Sequence, residues 1–200
     1  RYMVPEALLY DQVEAAKIAA GTALGDPLAL VSMLGATQRD WWKTTLGNAS
    51  TTWKLWGSEV MLLKLGLDGT RAIAALIALQ AVPTVGAATA FRVIMPDIVA
   101  NGVNSAYIPA AHKAALAPYF QKFVLNADMW DGYDAERREL MNFIAGNNIA
   151  NVVALTGDIH AFYAGEVRDD YRAVSGGNPV MSEIVVAGVS SDSFFSYLKS

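Results

Sequence analysis

Apolar and polar positions along this chain follow helical and strand periods in turn. Apolar residues recur at helical spacing over residues 2–20, and again over residues 133–145, which end at a Gly-Asn-Asn stop. Residues 51–65 alternate bulky apolar and polar side chains and predict a strand, and residues 66–69 supply a turn after it. The pattern therefore predicts alternating helices and strands, as in an α/β protein.

Two further elements complete this prediction. Thr37 is a candidate N-cap for a helix that runs to Leu46, with Gly47 just past its end. The apolar, β-branched run at residues 152–155 has the length of a strand that is buried on both faces. Because a helix leads directly into this strand, we expect a crossover connection to a parallel neighbour.

The strand at residues 152–155 is followed by an acid and an imidazole. Gly157 marks the point where the backbone leaves the sheet, and Asp158 and His160 come next. If the segment is extended, Asp158 and His160 point the same way while Ile159 turns into the core. A carboxylate and a neutral imidazole suit a hydrolytic metal site, and open α/β sheets bind ligands at this edge. The alternative is that Asp158 caps a turn and His160 is a hydrogen-bonded core residue.

Composition narrows the range of functions. The chain has 200 residues, of which 54% are hydrophobic, and a net charge of -4, so it can bury a core and gives no electrostatic case for nucleic-acid binding. It has no cysteine, which excludes disulfides and thiolate metal sites. Residues 72–91 carry no charge and are long enough to span a bilayer, but alanine dominates them and Pro83 interrupts them. We therefore expect a buried or site-covering helical hairpin there, and no membrane span.

Other conspicuous residues have ordinary structural interpretations. We expect His112, the second histidine, to lie on the surface at a helix start, and Arg137 and Arg138 to face solvent or carboxylates. Ser190-Ser191-Asp192 lacks a nucleophile elbow, and Ser175 to Pro179 reads as a turn. The tryptophans are expected to pack between sheet and helices, with Tyr133 and Trp130 as candidates to line a substrate entrance. The tryptophans are Trp41, Trp42, Trp53, Trp56 and Trp130.

Four short motifs occur in a fixed order. They are Leu-Gly-x-x-Gln-x-x-Trp at residues 34–41, Trp-Lys-x-x-Gly-x-x-Val at 53–60, Trp-Asp-Gly-Tyr at 130–133 and Thr-Gly-Asp-x-His at 156–160. Together with a late strand that ends in a serine-rich turn at residues 183–191, this order resembles the C-terminal half of the PhoD-like metallophosphatases, also called the alkaline phosphatase D family. Two departures are Ser58-Glu59, where many relatives carry a pair of amides, and a long alanine-rich segment at residues 66–127.

The resemblance implies a fold, a reaction and a site. The fold is α/β, part of a calcineurin-like metallophosphatase sandwich, with residues 1–200 as the C-terminal part of a single domain and residues 66–127 as an insertion. The reaction is hydrolysis of phosphomonoesters or phosphodiesters by metal-activated water, with iron and calcium as the expected ions. Asp158 is expected to ligate a metal, the iron by this resemblance, and His160 to ligate the second metal or orient the substrate phosphate. Family members are usually exported, so a location outside the cytoplasm is implied.

The resemblance also implies ligands that we do not find in this chain. These lie in a Gly-Asp segment with a nearby tyrosine and in an Asp-Asp-His-Glu-like segment, both in the N-terminal half of the family. We therefore expect the chain to be a fragment that is inactive on its own, because too few ligands remain to hold metals. The alternative is a non-catalytic binding or membrane-associated module derived from the same fold.

Overall fold

The computed structural model describes residues 3–80 and 86–188 of the chain. Its strands, in chain order, are β1 (Val4–Pro5), β2 (Lys54–Gly57), β3 (Gly66–Asp68), β4 (Lys122–Val124), β5 (Val152–Thr156), β6 (Tyr163–Arg168) and β7 (Pro179–Val185). Its α-helices are α1 (Ala15–Ala23), α2 (Gly35–Gly47), α3 (Gly69–Gln80), α4 (Ala87–Asn101), α5 (Ala110–Leu116) and α6 (Asp134–Gly146). A π-helix occupies Ala7–Glu14, and 3-10 helices occupy Gly102–Asn104, Ala117–Tyr119 and Trp130–Tyr133.

The chain divides into two compact units, and the first contains a four-stranded sheet. Among the described residues, this unit comprises 10–65 and 126–188, and its strand order is β2-β5-β7-β6. β2, β5 and β7 run parallel, while β6 pairs antiparallel with β7. Since α6 precedes β5 and β5 lies parallel beside β2, the predicted crossover connection is present.

The core of the first unit lies on one face of this sheet. Alternate strand residues such as Val152 and Ala154 are buried there, against α6 and Trp42 of α2. Trp42 packs on Trp56 at 4.8 Å between ring centroids, and Trp56 packs on Trp130 at 5.7 Å. The predicted packing role is thus confirmed for these three rings. It is wrong for Trp41 and Trp53, which are 62% and 64% exposed.

Among the described residues, the second unit comprises 3–9, 66–80 and 86–125 and has its own hydrophobic cluster. Its antiparallel sheet has the order β1-β4-β3, and α3 packs against α4 as a helical hairpin. The buried residues of the hairpin cluster are apolar throughout: Ile73, Ala74, Ala78, Ile94, Ile98 and Ile108. Within residues 3–80 and 86–188, no helix has the length and apolar character needed to cross a bilayer. That this unit is an insertion into a single domain stays a prediction.

The strand predicted over residues 51–65 is wrong beyond Gly57. Only β2 is a strand, residues 58–65 run irregularly, and β3 begins at Gly66, where a turn was predicted. The N–H groups of Leu62 and Leu63 donate to the Glu183 carboxylate at 2.8 and 2.6 Å, and that of Leu65 donates to Asp131 at 2.8 Å. Buried carboxylates therefore supply the acceptors that a neighbouring strand would have supplied.

The helix predicted over residues 2–20 and the cap at Thr37 also need correction. Val4 and Pro5 instead pair with β4, and a π-helix precedes α1, which ends at Ala23. α2 begins at Gly35, so Thr37 lies inside it. The Ser32 hydroxyl accepts a hydrogen bond from the Gly35 N–H at 2.7 Å. Ser32, and not Thr37, therefore supplies a side-chain acceptor at the start of this helix. The helix predicted over residues 133–145 is confirmed as α6.

Candidate active site

Asp158 and His160 lie in a tight turn directly after β5. The Ile159 N–H donates to the Gly157 carbonyl at 2.8 Å, which closes a three-residue turn centred on Asp158. Asp158 is exposed and His160 is half-buried, while Ile159 is 7% exposed and packs with Met61, Met129 and Val185. The prediction that Ile159 turns into the core is therefore confirmed.

The backbone of this turn differs from the extended segment that was expected. Asp158 has φ of 67° and His160 has φ of 54°, both in the left-handed region. Asp and His tolerate this region better than most residues, but two such residues within three positions are uncommon. Backbone of this kind is concentrated at sites where a fold holds side chains in place for function. The structure thus keeps both side chains at the strand end by a different geometry from the predicted one.

A cleft of about 460 Å³ opens at the carboxyl end of β2. β2 and β5 are adjacent, and their carboxyl ends are linked by backbone hydrogen bonds beyond the strands. The Ser58 N–H donates to the Leu155 carbonyl at 3.1 Å, and the Gly157 N–H donates to the Glu59 carbonyl at 3.3 Å. Since Ser58 and Glu59 line the cleft, the cleft and the turn at Asp158 lie at the same edge of the sheet.

The lining of this cleft is polar, acidic and aromatic. It includes the carboxylates of Glu59 and Asp128, the amide of Gln38 and the rings of Trp56 and Tyr133, and no lysine or arginine. The Ser58 hydroxyl, which also lines it, accepts from Trp130 Nε1 at 3.2 Å and donates to the Val60 carbonyl at 3.0 Å. The serine at this position therefore fixes the loop around the cleft. The cleft can accept hydrogen bonds from neutral or cationic groups.

The carboxylate of Glu183 connects the two loops at this edge. Glu183 lies on β7 with 1% exposure, and accepts from the Thr156 hydroxyl at 2.7 Å as well as from Leu62 and Leu63. Burial raises the pKa of Glu183, while these hydrogen bonds act in the opposite direction. Sequence reasoning assigned Glu183 only to a late strand. The available signal was a lone glutamate among β-branched residues of a buried strand.

The Trp-Asp-Gly-Tyr motif at residues 130–133 mainly stabilises the fold. Trp130 is fully buried, and a Cβ on Gly132 would lie 1.8 Å from the Ala127 carbonyl oxygen, so only glycine fits there. Burial raises the pKa of Asp131 to about 6, and the hydrogen bond from Leu65 and the nearby Arg137 act to lower it. Tyr133 and Trp130 both border the cleft, as expected for this motif, but only Tyr133 is partly exposed.

Helix α6 carries buried charges towards the first unit's core. Arg137 is fully buried, with Nη2 donating to Asp134 at 2.5 Å, Nη1 to the Arg168 carbonyl at 2.7 Å, and its guanidinium 4.6 Å from the Tyr171 ring centroid. Arg138 pairs with Asp170 at 3.0 Å. The expected contact with carboxylates is confirmed for both arginines, and exposure of Arg137 to solvent is excluded.

Comparison with known families decides the family of this chain. A family model described as "PhoD-like phosphatase" matches residues 13–200. The chain belongs to this family. The mixed α/β fold predicted from the resemblance is also confirmed by the strands and helices described above.

Two individual relatives show how much of a PhoD-like protein this chain matches. Alkaline phosphatase D of Bacillus subtilis (strain 168) is 44% identical over 52 residues, which is 26% of this chain and 9% of that protein. A solved structure titled "Structure of PhoD" matches 78% of this chain and 20% of its own chain, with 22% identity and a TM-score of 0.47. The chain thus spans a small part of the length of each relative.

Metal dependence is expected of a PhoD-like phosphatase, and two side chains at this edge of the sheet are of a type that binds metal ions. Asp158 and His160 supply one carboxylate and one imidazole, a donor set that suits first-row metals. Within residues 3–80 and 86–188, no group of three or more His, Cys, Asp or Glu residues is arranged to hold a metal ion. The two residues therefore fit as part of a ligand set, and their role as metal ligands stays a prediction. His112 is exposed on α5, as predicted for a surface residue.

Proposed function

We propose that this chain carries part of the active site of a metal-dependent phosphoesterase that hydrolyses phosphomonoesters or phosphodiesters. Membership of the PhoD-like phosphatase family supports the reaction class. The main support for this site is the turn that holds Asp158 and His160 at the carboxyl end of β5. This turn lies at the same edge of the sheet as the cleft. Ligands of open α/β sheets bind at this edge.

Asp158 and His160 are the residues we propose to hold metal, with iron and calcium as the proposed ions. A bound metal ion would lower the pKa of a bound water towards neutrality and offset the charge of phosphoryl oxygens. The Asp158 carboxylate supplies an oxygen ligand on the exposed side of the turn. The His160 imidazole supplies a nitrogen ligand or donates a hydrogen bond to a phosphoryl oxygen.

The acidic cleft supports a requirement for cations at this edge. The Glu59 carboxylate in the lining of the cleft is unfavourable for a phosphate dianion, and no lysine or arginine is among the residues that line the cleft. We therefore propose that a bound cation offsets this charge when a phosphoryl group binds. The aromatic and hydrogen-bonding groups of the cleft suit the alcohol portion of the ester, which we propose it contacts.

A non-catalytic binding module is the second candidate. It is favoured by one observation, the lack of a cluster of three ligands within the described residues. In that case substitution of Asp158 or His160 leaves binding of the unknown partner unchanged, and the metal content of the protein is negligible.

The test uses the full reading frame that encodes this chain. We expect Asp158→Ala and His160→Ala each to lower hydrolysis of bis-p-nitrophenyl phosphate by more than about a hundredfold, with loss of bound metal measured by mass spectrometry. The matched controls are Asp40→Ala and His112→Ala, both at exposed positions on helices. Full activity in Asp158→Ala would contradict the site assignment.

Two further expectations follow from the same proposal. The isolated 200-residue chain should bind iron and calcium weakly and turn over no substrate, because two ligands do not hold such ions tightly. Activity of the isolated chain would show that its own residues complete the site. We also propose a location outside the cytoplasm, which cell fractionation of the tagged full-length protein tests.

A further inference from the structure

Glu183 is a buried carboxylate that joins two segments of the candidate site. It lies on β7, the strand beside β5, and is 1% exposed. Its Oε1 accepts from the Leu62 N–H at 2.8 Å and from the Thr156 hydroxyl at 2.7 Å, and its Oε2 accepts from the Leu63 N–H at 2.6 Å. One oxygen atom is therefore shared between the loop after β2 and the last residue of β5.

The two segments that Glu183 joins carry the groups of the proposed site. Thr156 lies two residues before Asp158, and the loop after β2 contains Glu59, which lines the cleft. Two backbone hydrogen bonds also join these segments beyond the strands, with lengths of 3.1 and 3.3 Å. Each of the three hydrogen bonds to Glu183 is shorter than either of them. The carboxylate is therefore a main connection between the end of β5 and the cleft.

A carboxylate fits the donors at this position better than an amide does. Residues 58–65 lie outside the strands, and the successive N–H groups of Leu62 and Leu63 donate to the two oxygens of Glu183. A glutamine side chain has one acceptor oxygen and one NH₂ group that only donates. In either orientation of the amide, the NH₂ group would face a backbone N–H. Glutamine therefore keeps the size of Glu183 but not its hydrogen bonds.

We propose that Glu183 is a positioning residue of the phosphoesterase site. It fixes the loop after β2 against the end of β5, and so keeps Asp158 and His160 in a defined position relative to the cleft. The inference rests on the proposed function, because Glu183 can affect the reaction only through the residues that act in it. Residues that support a metal site without binding the metal contribute strongly to metal affinity and turnover.

A contribution to stability alone is the alternative role for this buried carboxylate. Such a residue changes the amount of folded protein, but not the metal affinity or the kcat of the folded molecules. Asp169 provides a matched control for this alternative. It accepts from the N–H groups of Asp170 and Asn178, each at 2.7 Å, and from Asn178 Nδ2 at 3.0 Å. Asp169 follows β6 at the opposite edge of the sheet from the candidate site.

The experiment compares variants of the full reading frame at a temperature at which circular dichroism shows them to be folded. Glu183→Gln should lower kcat for bis-p-nitrophenyl phosphate by about tenfold or more, and KM should change less than about twofold. The iron and calcium retained after dialysis, measured by mass spectrometry, should fall as well. In the metal-free protein, hydrogen exchange at the Leu62 and Leu63 amides should be faster. Asp169→Asn should lower the thermal unfolding temperature and leave kcat and metal content unchanged.

Thr156→Val tests the same connection from the other side. It removes the hydroxyl that joins β5 to Glu183 and leaves the two N–H groups of the loop in place, so kcat should fall about fivefold. Thr156→Ser keeps a hydroxyl and should restore most of the activity. If Glu183→Gln does not fold, these two variants decide between positioning and stability alone.

Unchanged kcat and metal content in folded Glu183→Gln would overturn this inference, as would equal activity of the valine and serine variants of Thr156. Neither result would affect the proposed function as long as Asp158→Ala loses activity. Full activity in Asp158→Ala, in contrast, would overturn the proposed site itself. The two failures are therefore distinguishable in one set of assays.

Discussion

The first unit buries charged groups beside its core, whereas the buried cluster of the α3–α4 hairpin in the second unit is apolar. Glu136, Arg137 and Glu183 are at most 1% exposed in the first unit, and each is bonded to backbone or side-chain groups. The buried hydrophobic cluster of the hairpin in the second unit consists of isoleucine and alanine, while Leu76 and Leu79 are 58% and 62% exposed. The two units therefore reach a compact state by different means.

The buried carboxylates of the first unit hold particular loops in position, which apolar burial alone does not do. In the first unit, Glu136 accepts from the N–H groups of Met33 and Leu34 at 2.6 and 3.1 Å, so it fixes the loop that leads into α2. Glu183 fixes the loop after β2 in the same way. Hydrogen-bonded carboxylates require defined distances and angles, whereas apolar packing tolerates rearrangement. The unit with the buried carboxylates is also the unit that contains the candidate active site.

The largest expected effect tests the buried charges. Arg137→Ala should lower the free energy of unfolding by about 3–5 kcal/mol, because it leaves the buried Asp134 carboxylate without its partner and removes the ring contact with Tyr171. Urea unfolding followed by tryptophan fluorescence measures this. Arg138→Ala is the control, since its pair with Asp170 is partly exposed and should contribute about 1 kcal/mol or less. Equal costs for the two variants would show that burial of Arg137 adds nothing.

The second prediction concerns the apolar hairpin. Ile98→Ala should cost about 2–4 kcal/mol, since Ile98 is fully buried and its truncation leaves a cavity. Val99→Ala at the next position should change stability by less than about 0.5 kcal/mol, because Val99 is 62% exposed. Thermal unfolding and hydrogen exchange in α4 measure both. A similar cost for both variants would mean that the exposed face of α4 is covered in solution.

The third prediction concerns the pH dependence of the free energy of unfolding, which arises from the buried carboxyl groups of the first unit. The pKa of Asp131 is raised by burial to about 6, so between about pH 4 and pH 6 the folded state holds a proton that the unfolded state releases. Stability should therefore fall by on the order of 2 kcal/mol as pH rises through this window, and change little from this group above it. Burial also raises the pKa of Glu14 and of Glu183, which act with the same sign.

Asp131→Asn isolates this contribution. The variant keeps an acceptor for the Leu65 N–H but cannot titrate, so its stability should vary less between pH 4 and pH 6 than that of the unchanged chain. Urea unfolding at several pH values gives both slopes. Identical slopes would show that Asp131 does not contribute to the pH dependence of stability.

Local sequence features predicted the elements whose hydrogen bonds are local or whose apolar run is unbroken. The predicted burial of residues 152–155 on both faces is wrong, because Leu155 is 41% exposed and the core lies on one face of the sheet. The run at residues 152–155 is β5, and the helical pattern at residues 133–145 is α6. The strand predicted over residues 51–65 was wrong beyond Gly57 although the alternation is typical of a strand. The backbone N–H groups of Leu62 and Leu65 donate to carboxylates that lie 121 and 66 residues away along the chain. No local pattern reports a partner at that distance.

The candidate site was only partly predictable from the sequence, because some of its residues are adjacent in the chain and others are distant. Asp158 and His160 stand out because both follow one apolar run, and the structure places them at the end of that strand. The cleft is formed by residues 32–38 around the start of α2 and by the loops after β2 and before α6, and Glu183 comes from a fourth segment. Only the tertiary arrangement brings these segments together. The left-handed backbone at both residues flanks Ile159, which packs in the core.

The parallel pairing of β2 with β5 has a consequence for the order in which the protein folds. Lys54 lies beside Val152, so this pair joins positions roughly a hundred residues apart in sequence. The hairpin of α3 and α4 joins neighbouring segments and has a far smaller loop to close. We expect the helical hairpin to form within the early phase of refolding and the β2–β5 ladder to form late. The edge that carries Asp158 is then among the last parts of the molecule to acquire its native geometry.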